Sequence, residues 1–220
     1  MIDAIVSNWP ALATALAETG IMVFFALLAA VLLGLPLGTV IFLTGKGGIR
    51  QNRFVWLIAD SYVTVVRAFP FLLFIIFLIP FTRLVLGTSF GVAGGTFPLL
   101  FVAIAIFARL TEQILREIPP GILHAAQAMG ASTLQIVTRF LLSEGRPGLV
   151  YALTSATVTL VSYSTVLGVV GAGGLGDFAI RYGYQRWDWA LMYTAVIVTV
   201  ACVLIIQFVG NRISAALDKR

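Results

Sequence analysis

The sequence predicts an all-α integral membrane protein with five transmembrane helices in a single domain, residues 1–220. The first observation is a set of long runs without charge. No charged residue lies between Glu18 and Lys46, Arg83 and Arg109, Arg146 and Asp177, or Asp188 and Arg212. Each run exceeds the roughly 20 apolar residues that a helix needs to cross hydrocarbon. The second is composition: 60% of the residues are hydrophobic and 10% charged, against about 45–50% and about 25% in an ordinary globular domain. The third is the one-sided placement of cations. One set of loops and helix ends collects Lys46, Arg50, Arg53, Arg109, Arg116, Arg139, Arg146, Arg212, Lys219 and Arg220; the other holds Arg83, Arg181 and Arg186. The positive-inside rule places the first set, and the C-terminus, in the cytoplasm. An odd number of spans then leaves the N-terminus outside.

Along the chain, Ile5, Trp9, Leu12 and Leu16 form a helical stripe, with Asp3, Ser7 and Asn8 off it. This predicts a separate interfacial helix over 2–18, with Trp9 at the membrane surface. The first span is expected at about Gly20–Leu43. It is too long for the apolar core of a cleaved signal and lacks a basic leader. The second, about Trp56–Pro80, carries Asp60 and Arg67. They lie two turns apart on one face, which suggests pairing or anchoring at the inner leaflet. The third follows the glycine-rich GTSFGVAGG turn, starts near Thr96, and continues as helix past Arg109 to Glu117. Arg109, Glu112 and Arg116 are spaced for ion pairs along that helix. The fourth span is about Pro147–Val170 and the fifth about Trp189–Gly210.

Residues 119–143 are a more polar insert between the third and fourth spans. Pro119-Pro120 ends one helix and begins another. Ile122, Leu123, Ala126 and Met129 give the new helix an apolar stripe, and Gly130 is its C-cap candidate. Ser132 with Gln135 makes a capping box for a second helix. Leu134, Val137 and Leu141 carry the stripe onward. The result is a pair of short helices meeting at an elbow of small residues, which allows another protein to approach its backbone closely.

This insert resembles the signature loop of the permeases of binding-protein-dependent ABC importers. That loop reads Glu-Ala-Ala, three residues, Gly, nine residues, Ile, one residue, Leu-Pro. Ala125-Ala126, Gly130 and Leu142 match; His124, Phe140 and Ser143 replace the glutamate, isoleucine and proline. IPFTR (79–83), GTSFG (87–91), AMGAS with QIV (128–137), VGAGGLG (170–176) and YGY (182–184), in that order, resemble the methionine-importer branch. The resemblance implies the type I ABC importer permease fold in a bacterial inner membrane, working as a homodimer. It implies two ABC ATPase subunits, which bind the ATP and Mg, and an external substrate-binding lipoprotein. It implies uptake of D- and L-methionine, with His124, Ala125, Ala126, Gln127, Ala128, Met129, Gly130 and Ala131 as the ATPase-coupling residues.

Other chemistry is thinly represented. GAGGLG (171–176) has dinucleotide-loop spacing but follows a span, not a strand, so it reads as a flexible turn or re-entrant segment. No G-x-x-x-x-G-K-[ST] occurs, so ATP phosphates need another subunit. One cysteine, Cys202, and one histidine, His124, offer neither a disulfide nor a metal site. No nucleophile–base pair is evident, and no cofactor is expected in this chain. The net charge of +5 comes from residues flanking spans, which argues for the lipid bilayer rather than nucleic acid. The fourth span is rich in hydroxyls. These bond back to helix carbonyls or line a polar path, with Ser162, Tyr163, Thr165 and Val166 nearest a gate. Two rival functions remain at this point: a permease for another amino acid or small solute, and a stand-alone secondary carrier.

Overall fold

A computed structural model describes residues 6–218. The described residues form nine main helical segments. They are α1 (Trp9–Thr44), α2 (Arg53–Ala68), α3 (Phe71–Leu86), α4 (Gly91–Glu117), α5 (Pro120–Ala128), α6 (133–144), α7 (Arg146–Leu167), α8 (174–184) and α9 (Trp189–Leu217). Four of them (α1, α4, α7 and α9) are long and apolar enough to span a membrane, and α2 with α3 qualifies as a bent fifth span.

The separate surface helix expected over 2–18 is not seen from Trp9 onward. Trp9 begins a rod that runs without a break to Thr44, 36 residues. At about 1.5 Å per residue it is far longer than a hydrocarbon core of about 30 Å. Its first turns pack on the protein: Leu12 and Ala15 are buried against Leu175, Phe178, Leu191 and Ala195. Asp3 and Ile5 lie outside the described residues, as do Lys219 and Arg220. Farther along α1, the backbone widens into a π-turn at Ala30–Gly34, just before Pro36. Pro36 has no N–H for the helix ladder, so the helix relaxes its hydrogen-bond register ahead of it.

The second span is broken. α2 and α3 are bent by 113° relative to one another, within the stretch read from sequence as one span, about Trp56–Pro80. Phe69 (φ −71°, ψ 133°) and Pro70 (φ −58°, ψ 127°) are extended. A proline disfavours helical geometry in the residue before it and donates no hydrogen bond, so the break falls at Phe69-Pro70.

α4 is the central element. It packs against α1, α2, α3 and α7, and Leu99, Ala103, Phe107 and Ala108 on it are buried. It begins at Gly91, so half of the expected glycine-rich turn is already helix. Close approach to α1 depends on two glycines one turn apart. A Cβ on Gly34 would sit 2.9 Å from the Ile104 carbonyl oxygen, and one on Gly38 would collide with the Ala108 carbonyl. Such small-residue pairs let membrane helices gain dispersion energy without a hydrophobic drive. The main core lies where α1, α4 and α7 meet, with Met22, Ala26, Phe107, Ala156 and Leu160 inside. α9 closes against α7, where Gly210 faces Thr154 and the Ser214 hydroxyl donates to the Pro147 carbonyl at 2.8 Å. The outward faces of α3 and α9 (Leu73, Phe77, Ile197, Leu204, Phe208) are exposed, as suits helices surrounded by lipid.

Candidate coupling elbow and membrane cavity

The insert folds into the expected pair of helices, and its corner is fixed by backbone chemistry. α5 ends in a Schellman turn. Gly130 N–H donates to Gln127 O at 2.9 Å, Ala131 N–H donates to Ala126 O at 3.1 Å, and Gly130 sits at φ +74°. That left-handed conformation is open to glycine at no steric cost. Ser132 then caps α6 with both halves of a capping box: Gln135 N–H to the Ser132 hydroxyl at 3.3 Å, and Ser132 N–H to Gln135 Oε1 at 2.8 Å. Arg50 Nε, from the α1–α2 loop, donates to Thr133 Oγ1 at 3.0 Å.

One side of this corner is glued to the span ends. Ala126, Ile136 and Leu141 are buried with Leu115 and Ile118 of the α4 end. The other side faces outward: His124, Ala125, Gln127, Ala128, Met129 and Gly130 are exposed, and Ala131 is half-buried. Met129 (67% exposed) and Leu134 (72% exposed) correct the expected inward stripe. Met129, at φ −77° and ψ 0°, has already left the helical path, and Leu134 lies in the first turn of α6, beyond the corner. The elbow therefore presents two bare apolar side chains beside small residues.

An ion network runs down α4 toward the elbow. Arg109 reaches Asp60 at 2.7 Å and Glu112 at 2.6 Å, and Arg116 reaches Glu112 at 2.7 Å. The pairs within α4 are those expected. Asp60, however, pairs across to Arg109 and not with Arg67, its neighbour two turns along α2.

Arg67 instead lines a cavity of about 340 Å³ with Phe69, Phe71, Phe74, Val102, Ile106, Leu110, Ser155, Thr159 and Tyr163. Of the four residues expected near a gate, Tyr163 lines this cavity, its ring stacked on Phe71 at 4.2 Å. Ser162 lies between the lining residues Thr159 and Tyr163 on α7 without lining the cavity itself, and Thr165 and Val166 follow farther along the helix. The α7 hydroxyls largely bond backward: Thr154 to Val150 O, Thr157 to Leu153 O, Thr159 to Ser155 O and Ser162 to Val158 O, at 2.7–3.2 Å.

The glycine-rich segment 171–176 is not a loose turn. Ala172, Gly174, Leu175 and Gly176 are buried. Gly174 N–H donates to Glu18 Oε2 at 2.7 Å, and Leu175 N–H to Thr19 Oγ1 at 2.9 Å. Side chains there would strike neighbours: a Cβ on Gly176 meets the Thr165 carbonyl, and one on Gly168 the Asp177 amide. Asp177 is held up from the ordinary carboxylate range by burial, which outweighs its ion pair with Arg181 at 2.9 Å. The clamp from Glu18 and Thr19 escaped sequence reading. The available signal was a carboxylate at the mouth of a long uncharged run, opposite a run of glycines with free amides.

A membrane-spanning bundle with a rigid, outward-facing elbow defines a transport-permease architecture. A family model described as the binding-protein-dependent transport system inner membrane component matches residues 30–220, and the chain belongs to that family. It is 41% identical over 212 residues to the probable D-methionine transport system permease protein MetI of Pasteurella multocida (strain Pm70), covering 96% of this chain and 98% of that one. It is 35% identical over 180 residues to the methionine import system permease protein MetP of Bacillus subtilis (strain 168), covering 82% and 81%. Among solved structures, an inward-facing form of the MetNI methionine ABC transporter matches with a TM-score of 0.93 at 38% identity, covering 97% of this chain and 99% of that one. An amino acid ABC transporter with histidines shares the fold, with a TM-score of 0.74 at 18% identity, covering 98% and 96%.

Proposed function

We propose that this chain is the permease subunit of an ATP-driven methionine importer in a bacterial inner membrane. Two copies form the pathway. Two ABC ATPase subunits dock on the elbows, and an external binding lipoprotein delivers D- or L-methionine. The elbow and C-terminus face the cytoplasm and the N-terminus faces outward, following the distribution of cations. ATP and Mg belong to the ATPase, and this chain contributes no catalysis.

The observation that carries this reading is the elbow. Its inner side, Ala126 included, is packed on the α4 end, while His124, Ala125 and Gln127 through Gly130 stand outward around a corner that the Schellman turn and capping box hold in one shape. A partner that fills this corner moves α4 and α7 with it. ATP binding draws the ATPases together, the two elbows follow, and the pathway opens outward. Hydrolysis and release return it inward. The strength of the relationship to methionine permeases over nearly the whole chain supports the choice of substrate.

Reconstitution of the permease with its ATPase and binding protein in proteoliposomes tests the reading. ATP-dependent accumulation of labelled methionine is expected. Accumulation of a different amino acid, but not methionine, assigns the chain to the first rival. Accumulation without the ATPase assigns it to a secondary carrier.

A further inference from the structure

Two arginines, Arg67 on α2 and Arg109 on α4, lie along the broken second span and the third, and their surroundings differ. Arg109 is satisfied by two carboxylates, Asp60 and Glu112. Arg67, on the same helix as Asp60, has no carboxylate partner among the described residues. It opens instead onto the 340 Å³ cavity. Val102, Ile106 and Leu110 line it from α4 (Gly91–Glu117), and Ser155, Thr159 and Tyr163 from α7 (Arg146–Leu167), two spanning helices. An unpaired cation within a span is costly unless it meets water or a counter-ion, and such residues mark ion or substrate pathways.

The rest of the wall is chemically specific. Phe69, Phe71 and Phe74 supply an apolar aromatic side. The lining also carries the hydroxyls of Ser155, Thr159 and Tyr163. Thr159 spends its proton on the Ser155 carbonyl at 3.0 Å, so its oxygen keeps lone pairs to accept. The volume is at the small end of the roughly 300–1,000 Å³ of small-molecule pockets, which favours a ligand of few atoms.

We infer that this cavity is a transient station for the transported amino acid, in which the Arg67 guanidinium takes the α-carboxylate. The planar fork of arginine matches a carboxylate in two parallel hydrogen bonds. The Ser155 and Thr159 oxygens accept from the α-ammonium. The phenylalanines receive the side chain, and a thioether gains from contact with aromatic rings. This inference rests on the amino-acid importer reading and adds a residue-level site to it. It also explains why α2 breaks at Phe69-Pro70: the break brings Phe69 and Phe71 to the cavity wall beside Arg67.

Two measurements test it in the full complex. In proteoliposomes, Arg67→Gln is expected to lower methionine uptake by about tenfold or more, as for loss of a hydrogen bond to a charged group, while Arg67→Lys retains the larger part. Uptake by Arg67→Gln within about twofold of the unchanged protein overturns the inference. Wild-type failure to take up methionine would instead count against the importer reading itself. The second measurement keeps Arg67 in place and does not depend on how its variants fold. Ser155→Cys, in a chain carrying Cys202→Ala, is labelled with a small thiol reagent in the detergent-solubilised complex without binding protein. Methionine is expected to slow labelling, and methioninol, which lacks the carboxylate, to leave it unchanged. Equal protection by both, or by neither, overturns the assignment of the carboxylate to Arg67.

Discussion

Arg109 on α4 meets Asp60 on α2 at 2.7 Å, although 49 residues separate them in sequence. The same guanidinium holds Glu112, whose side chain is only 3% exposed. α2 and α4, the rod leading to the elbow, are therefore tied by one cation.

Removing that cation takes the ion pair from Asp60 and leaves Glu112 with Arg116 alone. Arg109→Ala is expected to destabilise the purified permease by about 1.5–3 kcal/mol, the usual worth of hydrogen bonds to charged groups, because Arg116 still compensates Glu112. Asp60→Asn, at a carboxylate that is 22% exposed, is expected to cost less. Thermal unfolding in detergent, followed by circular dichroism or a thiol-reactive dye at Cys202, reads both. Equal midpoints for Arg109→Ala and the unchanged protein would contradict the network's structural role.

The α1–α4 contact makes a second prediction through two glycines on one helix. A Cβ on Gly38 runs into the Ala108 carbonyl, whereas a Cβ on Gly20 meets nothing within 4 Å. Gly38→Ala is expected to destabilise by about 1–3 kcal/mol through overpacking. Gly20→Ala is expected to be neutral or stabilising by up to about 1 kcal/mol, through helix propensity. The same melting assay compares them, and a reversed order would show that the helices do not approach at Gly38.

Glu18 provides the third. Glu18→Ala leaves the buried Gly174 amide without its acceptor, at a cost of about 1–3 kcal/mol. The loss is local, so hydrogen exchange at residues 171–176 should accelerate while α4 stays protected. Uniform acceleration, or none, would contradict the clamp.

Much of this architecture is readable in the chain because lipid is an exacting solvent. Long uncharged runs, flanking cations and a capping box are local signals, and the spans, the α4 extension and the elbow follow from them. The misses have physical causes. Hydropathy averages over Phe69-Pro70, so the 113° break is visible only if the proline is given weight. The stripe through Trp9, Leu12 and Leu16 cannot say whether a helix lies on a membrane or on Leu175 and Phe178. Met129 follows helical spacing, but the turn at Gly130 points it outward. The partner choice between Asp60, Arg67 and Arg109 is tertiary and leaves no trace in spacing. The buried glycines of 171–176 look like a flexible turn because glycine serves both freedom and close packing.

The central claim is that the corner at Gly130 receives the ATPase. Space around Gly130 is open within this chain: a Cβ there meets nothing within 4 Å, and only its left-handed backbone is at stake. Gly130→Trp, carrying a purification tag, should therefore still insert and purify as a folded permease, while Gly130→Ala controls for backbone strain of about 1–2 kcal/mol. The direct measurement is the amount of ATPase that co-purifies with each. Recovery near the unchanged level with Gly130→Ala and loss with Gly130→Trp is the predicted result. Full recovery of the ATPase with Gly130→Trp would contradict the account.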